Sequence, residues 1–118
     1  MGMTFVDLEV ANPAAPDGAE SVHLMVDSGA LNSVIPSEVL DRLGVRALSE
    51  QTFQLANGQR IRRKRGGAVF RYGDRVGVAD VVFGEAGDAA LLGATTLESL
   101  GLGLDPLRRE LIELTMTL

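Results

Sequence analysis

The 118-residue sequence contains no cysteine and no tryptophan, and only one histidine and one tyrosine. Without cysteine there is no disulfide framework, no thiolate zinc site and no cysteine nucleophile. With His23 as the single histidine, a serine–histidine couple or a histidine-rich metal site is not expected either. The expectation is a protein that works without a metal or other cofactor. Aromatic residues make up 4% of the chain, too few for the stacking platforms of single-stranded nucleic-acid binders, and a net charge of -5 repels phosphate. No apolar run approaches the roughly 20 residues that a membrane span requires. The segment Met1 to Asp7 has neither the basic nor the long apolar region of a secretory leader. A soluble, cytoplasmic protein is expected. What the chain does hold in quantity is carboxylate, with 16 Asp and Glu against 11 Lys and Arg. A catalyst made from this composition would use carboxylates.

The length suits one domain, residues 1–118, and short apolar stretches broken by turn residues every eight to twelve positions predict a mostly β fold. Expected strands are Thr4 to Val10, Val22 to Val26, Gln51 to Leu55, Gln59 to Arg65, Ala68 to Tyr72, Arg75 to Phe83, Ala89 to Leu92, Leu102 to Leu104 and Glu110 to Thr117. A loop is expected from Asn12 to Gly18. Asn57-Gly58 and Gly73-Asp74 each sit between extended segments and predict tight hairpins. Two short helices are expected, after Pro36 and from Thr95, each stopped by Leu-Gly at Gly44 and Gly101. Thr95 and Glu98 have the spacing of a capping box. Each helix lies downstream of an apolar strand running into a Gly-Ala pair, a weak internal repeat in which only the first copy carries an Asp.

That Asp opens Asp27-Ser28-Gly29-Ala30, at the end of the apolar run Leu24-Met25-Val26. Taken alone, the motif reads as a turn closing a strand, because Asp, Ser and Gly all favour turns. A carboxylate at the rim of a core is costly, however, and calls for a reason. The motif, the hairpin in mid-chain and the later Leu91-Leu92-Gly93 before a short helix, in that order, resemble the retropepsin-like aspartic proteases. The match runs from about Leu24 to Asp105 and looks most like the small bacterial single-domain members. The resemblance implies a retropepsin-like acid-protease fold, with closed barrel-like sheets and one or two short helices. It implies an aspartic endopeptidase with Asp27 as its catalytic residue.

Peptide hydrolysis by carboxylates alone needs two that share one proton, since like charges about 3 Å apart cannot both ionise. The chain has one Asp-Ser-Gly-Ala; Asp17-Gly18, Asp74-Arg75 and Asp88-Ala89 lack both the motif and an apolar approach. A homodimer with Asp27 against its own copy is therefore expected, acting on a peptide or protein substrate. The resemblance further implies that Ser28 braces the two loops across the dimer axis, that Gly29 admits the backbone to the dyad and that Ala30 keeps the floor small. It places Ala56, Asn57, Gly58 and Gln59 in a flap over the substrate and Leu92-Gly93 in the second glycine turn. The terminal strands Thr4 to Val10 and Glu110 to Thr117 become candidates for the subunit interface. Two positions depart from the retroviral pattern: the flap is polar, and Ala94 and Thr95 stand where Arg and Asp or Asn follow the second glycine.

Other features have plainer readings. Arg60 to Arg65 places five cations in six residues, which suggests a nucleic-acid patch, an attraction for acidic partners, or merely a solvated hairpin arm. The acidic surroundings argue against nucleic acid. His23 could face the same side of its strand as Asp27, although a lone histidine is commonly an ordinary strand residue. Asp80, Glu85 and Asp88 are expected to be solvated. The alternative to a protease is a catalytically weak or inactive dimeric peptide-binding or scaffold module of the same fold.

Overall fold

The structure is a computed structural model and describes residues 3–115. Nine strands and two helices follow one another as β1 (Phe5–Asn12), β2 (Ala15–Val26), β3 (Ser33–Pro36), α1 (Ser37–Leu43), β4 (Ser49–Gln54), β5 (Arg60–Tyr72), β6 (Arg75–Gly84), β7 (Leu91–Leu92), α2 (Ala94–Leu100), β8 (Leu102–Asp105) and β9 (Glu110–Glu113). Alternation decides which face each strand buries. In β1 Leu8 and Val10 point inward, and in β2 Val22, Leu24 and Val26 do, while Asp7, Glu9 and His23 face water. These side chains meet Ile35, Leu40, Phe70, Val81 and Leu92 in a single cluster from which water is almost wholly excluded.

The sheet order β1-β2-β7-β3-β6-β5-β4 is closed by a second pairing of β1, in which Glu9–Ala11 lie against Val69–Arg71 of β5. Six strands thus form a ring and β4 hangs from it. The first part of β5 touches only β4, since β6 begins to pair at Arg65. The β4–β5 hairpin therefore projects from the barrel as a two-stranded ribbon. Mostly β structure with closed barrel-like sheets and two short helices was the expectation, and this is what the chain forms.

The departures from expectation have tertiary causes. Gln59 to Arg65 and Ala68 to Tyr72 are one 13-residue strand, because Gly66-Gly67 mark the place where β5 exchanges β4 for β1 as its neighbour. A side chain at Gly66 would lie 2.7 Å from the Arg46 carbonyl oxygen. The loop expected from Asn12 to Gly18 shrinks to Pro13-Ala14, since Asn12 and Ala15 already pair and the Asn12 carboxamide oxygen accepts the Ala14 N–H at 2.9 Å. Ser33–Pro36, not foreseen as a strand, is extended because it runs parallel to β6 and beside β7. It also separates the first glycine turn from α1, so the two halves of the apparent repeat differ in build. Both helices do end at left-handed glycines, Gly44 at φ 76° and Gly101 at φ 68°. The capping box is absent: Gly93 is the N-cap of α2, and the Thr95 hydroxyl donates instead to the Leu31 carbonyl at 2.9 Å. Strand β1 has both edges occupied at Glu9–Ala11, which removes that part as an interface strand. Strand β9 pairs with β8 alone; Met116 and Thr117 lie outside the described residues.

Candidate active site

Asp27 stands immediately after β2, where the barrel strand leaves the core, and its side chain is half-buried. The turn that carries it is held from two directions. Within the turn, the Ala30 N–H donates to the Asp27 carbonyl at 3.1 Å and the Gly29 N–H to Asp27 Oδ1 at 3.0 Å. From β7, the Leu92 carbonyl accepts the Asp27 N–H at 2.9 Å. The chain then crosses directly over the turn: Ala94 N–H donates to the Ala30 carbonyl at 2.8 Å and Thr95 N–H to the Leu31 carbonyl at 3.1 Å. Gly93 lies at this crossing, where a Cβ would come within 2.5 Å of both the carbonyl carbon and the oxygen of Asn32. Only glycine allows so close a passage. Leu92 and Gly93 are thus brought against Asp27, Ser28, Gly29 and Ala30, with Ser28 and Gly29 on the exposed rim.

Beside this turn opens a cleft of about 440 Å³, within the range of small-ligand sites, roughly 300–1,000 Å³. Its walls come from Ala30 and Val34 after the turn, from Phe53 and Ile61 on the inner face of the ribbon, and from Leu91. The ribbon tip, Ala56, Asn57, Gly58 and Gln59, is exposed. It is shaped by a Leu55 N–H bond to the Gln59 carbonyl at 2.8 Å and by Gly58 at φ 87°. Its residues do not line the cleft; those at its base do.

With that geometry in place, a comparison with protein families matches residues 12–96 to the model described as "Aspartyl protease". The chain belongs to the aspartyl protease family. Its activity is that of an aspartic-type endopeptidase. Among solved structures it resembles the simian foamy virus (mac) protease, at 18% identity and a TM-score of 0.52 over 79% of this chain and 92% of that one. It also resembles a retropepsin-like aspartic protease from Rickettsia conorii, at 21% identity and a TM-score of 0.50 over 88% of this chain and 85% of that one. At these identities the likeness establishes the fold. No curated protein matches the sequence.

In this aspartyl protease the basic run is two sets of side chains. Arg60, Arg62 and Lys64 alternate to the outer face of the ribbon and are exposed, while Arg63 and Arg65 turn inward. Arg63 grips Asp88 with a fork, Nε to Oδ2 at 2.7 Å and Nη2 to Oδ1 at 2.9 Å, in the wall of the cleft. This guanidinium holds the Asp88 carboxyl below the ordinary carboxylate range, and Asp88 in turn raises the Arg63 value. Arg65 binds Asp80, which also accepts the Asn32 carboxamide and lies 3.4 Å from the Thr95 hydroxyl. Asp80 and Asp88 were expected to be solvated and are instead half-buried partners of arginines. The partners lie 15 and 25 residues apart in sequence, which gave no sign of these pairings.

Sequence reasoning also passed over Ser33 and Thr96, both fully buried, whose hydroxyls bond each other. Ser33 Oγ additionally accepts the Gly93 N–H at 2.9 Å, which fixes the crossing from below. A small hydroxyl residue next to a glycine turn is the only signal that could have pointed to them. His23 is exposed, bonds Asp7 at 2.8 Å and stacks on Phe5 with the ring centres 5.2 Å apart. Its interactions are with β1. Among the described residues no group of acidic and histidine side chains could hold a metal ion.

Proposed function

We propose that the protein works as a homodimer in which two Asp27 carboxylates, one from each copy, share a proton across a two-fold axis and activate water against a peptide bond. The observation that carries this reading is the difference between Asp27 and the two half-buried acids Asp80 and Asp88. Asp88 is taken by Arg63 and Asp80 by Arg65 and Asn32, whereas Asp27 accepts one backbone N–H. A carboxylate already engaged by an arginine is not free to face a second carboxylate and share its proton. The second member is therefore supplied by another copy, and an isologous pair is the symmetry that sets a residue against itself.

In the dyad one carboxylate is ionised and takes a proton from water, and the other is protonated and polarises the scissile carbonyl. The acidity constants belong to the pair. Ser28 braces the two turns, Gly29 and Ala30 keep the floor open, and Leu92-Gly93 fixes its height. The ribbon tip Ala56 to Gln59 closes as a flap over an extended peptide and excludes water.

The test is a mixing experiment. Asp27→Asn abolishes cleavage of a peptide library between pH 4 and 7, and wild-type chains diluted with this variant lose activity as the square of their fraction. At equal parts, about a quarter of the dimers keep both aspartates. Cleavage unaffected by Asp27→Asn overturns the assignment, and a linear loss overturns the shared site. Peptide binding without cleavage by the wild type identifies a binding module instead.

A further inference from the structure

We propose that the Arg63–Asp88 pair determines the specificity of the cleft, neutralising the charges in its wall and so restricting it to large apolar side chains of a peptide substrate. The inference rests on the peptide-cleaving reading of this site. Both residues sit in the wall, with side-chain exposures of 17% and 23%. Their charges are compensated between themselves, and part of their bonding capacity is taken up by their neighbours. Besides the two bonds of the fork, Asp88 Oδ2 accepts the Glu85 N–H at 2.8 Å, and Arg63 Nη1 donates to the Arg62 carbonyl at 2.8 Å. A charged substrate group entering the cleft therefore meets no uncompensated opposite charge, the Asn32 and Gln54 carboxamides being the other polar side chains of the wall, and loses its water without full replacement. An apolar side chain meets Val34, Phe53, Ile61 and Leu91 and gains by leaving water.

The pair also joins two separate elements, the ribbon strand β5 and the turn before β7. Its removal exposes one charge of known sign. Arg63→Met leaves a carboxylate in a wall with no other charged side chain, and Asp88→Asn leaves a guanidinium. Each variant should thus acquire a new preference opposite in sign to the charge it retains. A purely structural tie would behave differently, since its loss would weaken every substrate alike.

The experiment is library profiling at pH 6, where a free carboxylate is ionised. It compares wild type, Arg63→Met, Asp88→Asn and Lys64→Met, the last removing a cation from the outer face of the same strand. For the cleft-facing substrate position, the kcat/KM ratio of basic to apolar residues rises roughly tenfold or more in Arg63→Met, the scale of one charge contact in a partly shielded site. The ratio of acidic to apolar residues rises similarly in Asp88→Asn, and Lys64→Met leaves the wild-type profile. The swap Arg63→Asp with Asp88→Arg restores the apolar preference. Peptide binding to the same variants in an Asp27→Asn background gives the ratios without chemistry, and melting curves check that each is folded. Unmoved ratios in folded variants, or uniform weakening of all peptides, overturn the proposal while Asp27-dependent cleavage stands. A wild type that cleaves nothing, together with an Asp27→Asn chain that binds no peptide, overturns both readings.

Discussion

Gly93→Ala adds one methyl group at the point where β7 crosses the Asp27 turn. The backbone there, φ -96° and ψ 177°, is open to any residue, so the change introduces no conformational strain. On chain entropy alone, alanine would stabilise the protein by about 0.4–1 kcal/mol. Sterics act in the opposite direction. The new Cβ would lie 2.5 Å from the Asn32 carbonyl carbon and oxygen, about 0.9 Å inside the 3.4 Å at which ordinary contact begins. Both are backbone atoms, and the segment is pinned by Ala94 to the Ala30 carbonyl, by Thr95 to the Leu31 carbonyl and by Gly93 to Ser33. Overpacking costs about 1–3 kcal/mol, and two loosened hydrogen bonds add about 1 kcal/mol each. The net expectation is destabilisation by about 2–4 kcal/mol, with Tm lower by on the order of 10 °C for a chain of this size. Thermal and urea unfolding followed by circular dichroism measure it. Because the displaced atoms lead out of the Asp27 turn, cleavage should fall at temperatures where the variant is still folded. A variant as stable as wild type, or more stable, would refute the close crossing and with it the positioning of Asp27.

The buried hydroxyl pair beneath this crossing gives a second expectation. Ser33→Ala orphans the Thr96 hydroxyl and the Gly93 N–H and should cost about 2–4 kcal/mol. Adding Thr96→Val removes one of those orphans, so in urea unfolding the double variant should lose less than the two single losses together. The Arg63–Asp88 pair predicts a pH dependence of stability. Arg63 lowers the Asp88 value in the folded state, so the contribution is fully present above the unfolded value near pH 4 and disappears as pH falls through the folded one. Asp88→Asn should be less stable than wild type by about 1–2 kcal/mol at pH 7. The gap should close below about pH 4 in chemical denaturation; a gap that stays constant with pH removes the ion pair as its cause.

Local sequence carried several features as far as the structure itself does. Gly44 and Gly101 stop their helices in the left-handed conformation, and Gly73-Asp74 joins β5 to β6 through a two-residue turn, because these depend on one residue's backbone freedom. The motif Asp27 to Ala30 and the glycine at Gly93 were likewise visible as residue types in order. That the chain passes close to the Asp27 turn at Gly93 was implied by the family resemblance alone and not by the residues themselves, since the crossing joins parts of the chain more than 60 residues apart. Thr95 shows how a local pattern can mislead: its spacing to Glu98 fits a capping box, yet the Leu31 carbonyl offers a partner that only the folded chain brings within reach. The strand β3 was passed over although Val34, Ile35 and the following proline favour extended backbone, because so short a segment gains its ladder partners only from β6 and β7.

By itself, the sequence determined what chemistry was possible. With no cysteine and a single histidine, carboxylates were left as the catalytic groups, and only Asp27 opened an Asp-Ser-Gly-Ala motif at the end of an apolar run. Tertiary structure decided which carboxylates are free to react. Asp80 and Asp88 look solvated when read in sequence, and they are neutralised only because the inward alternation of β5 presents Arg65 and Arg63 to them. Charge is a property of residues and can be counted along a chain. Pairing depends on distance between strands, and closing the barrel is what sets that distance.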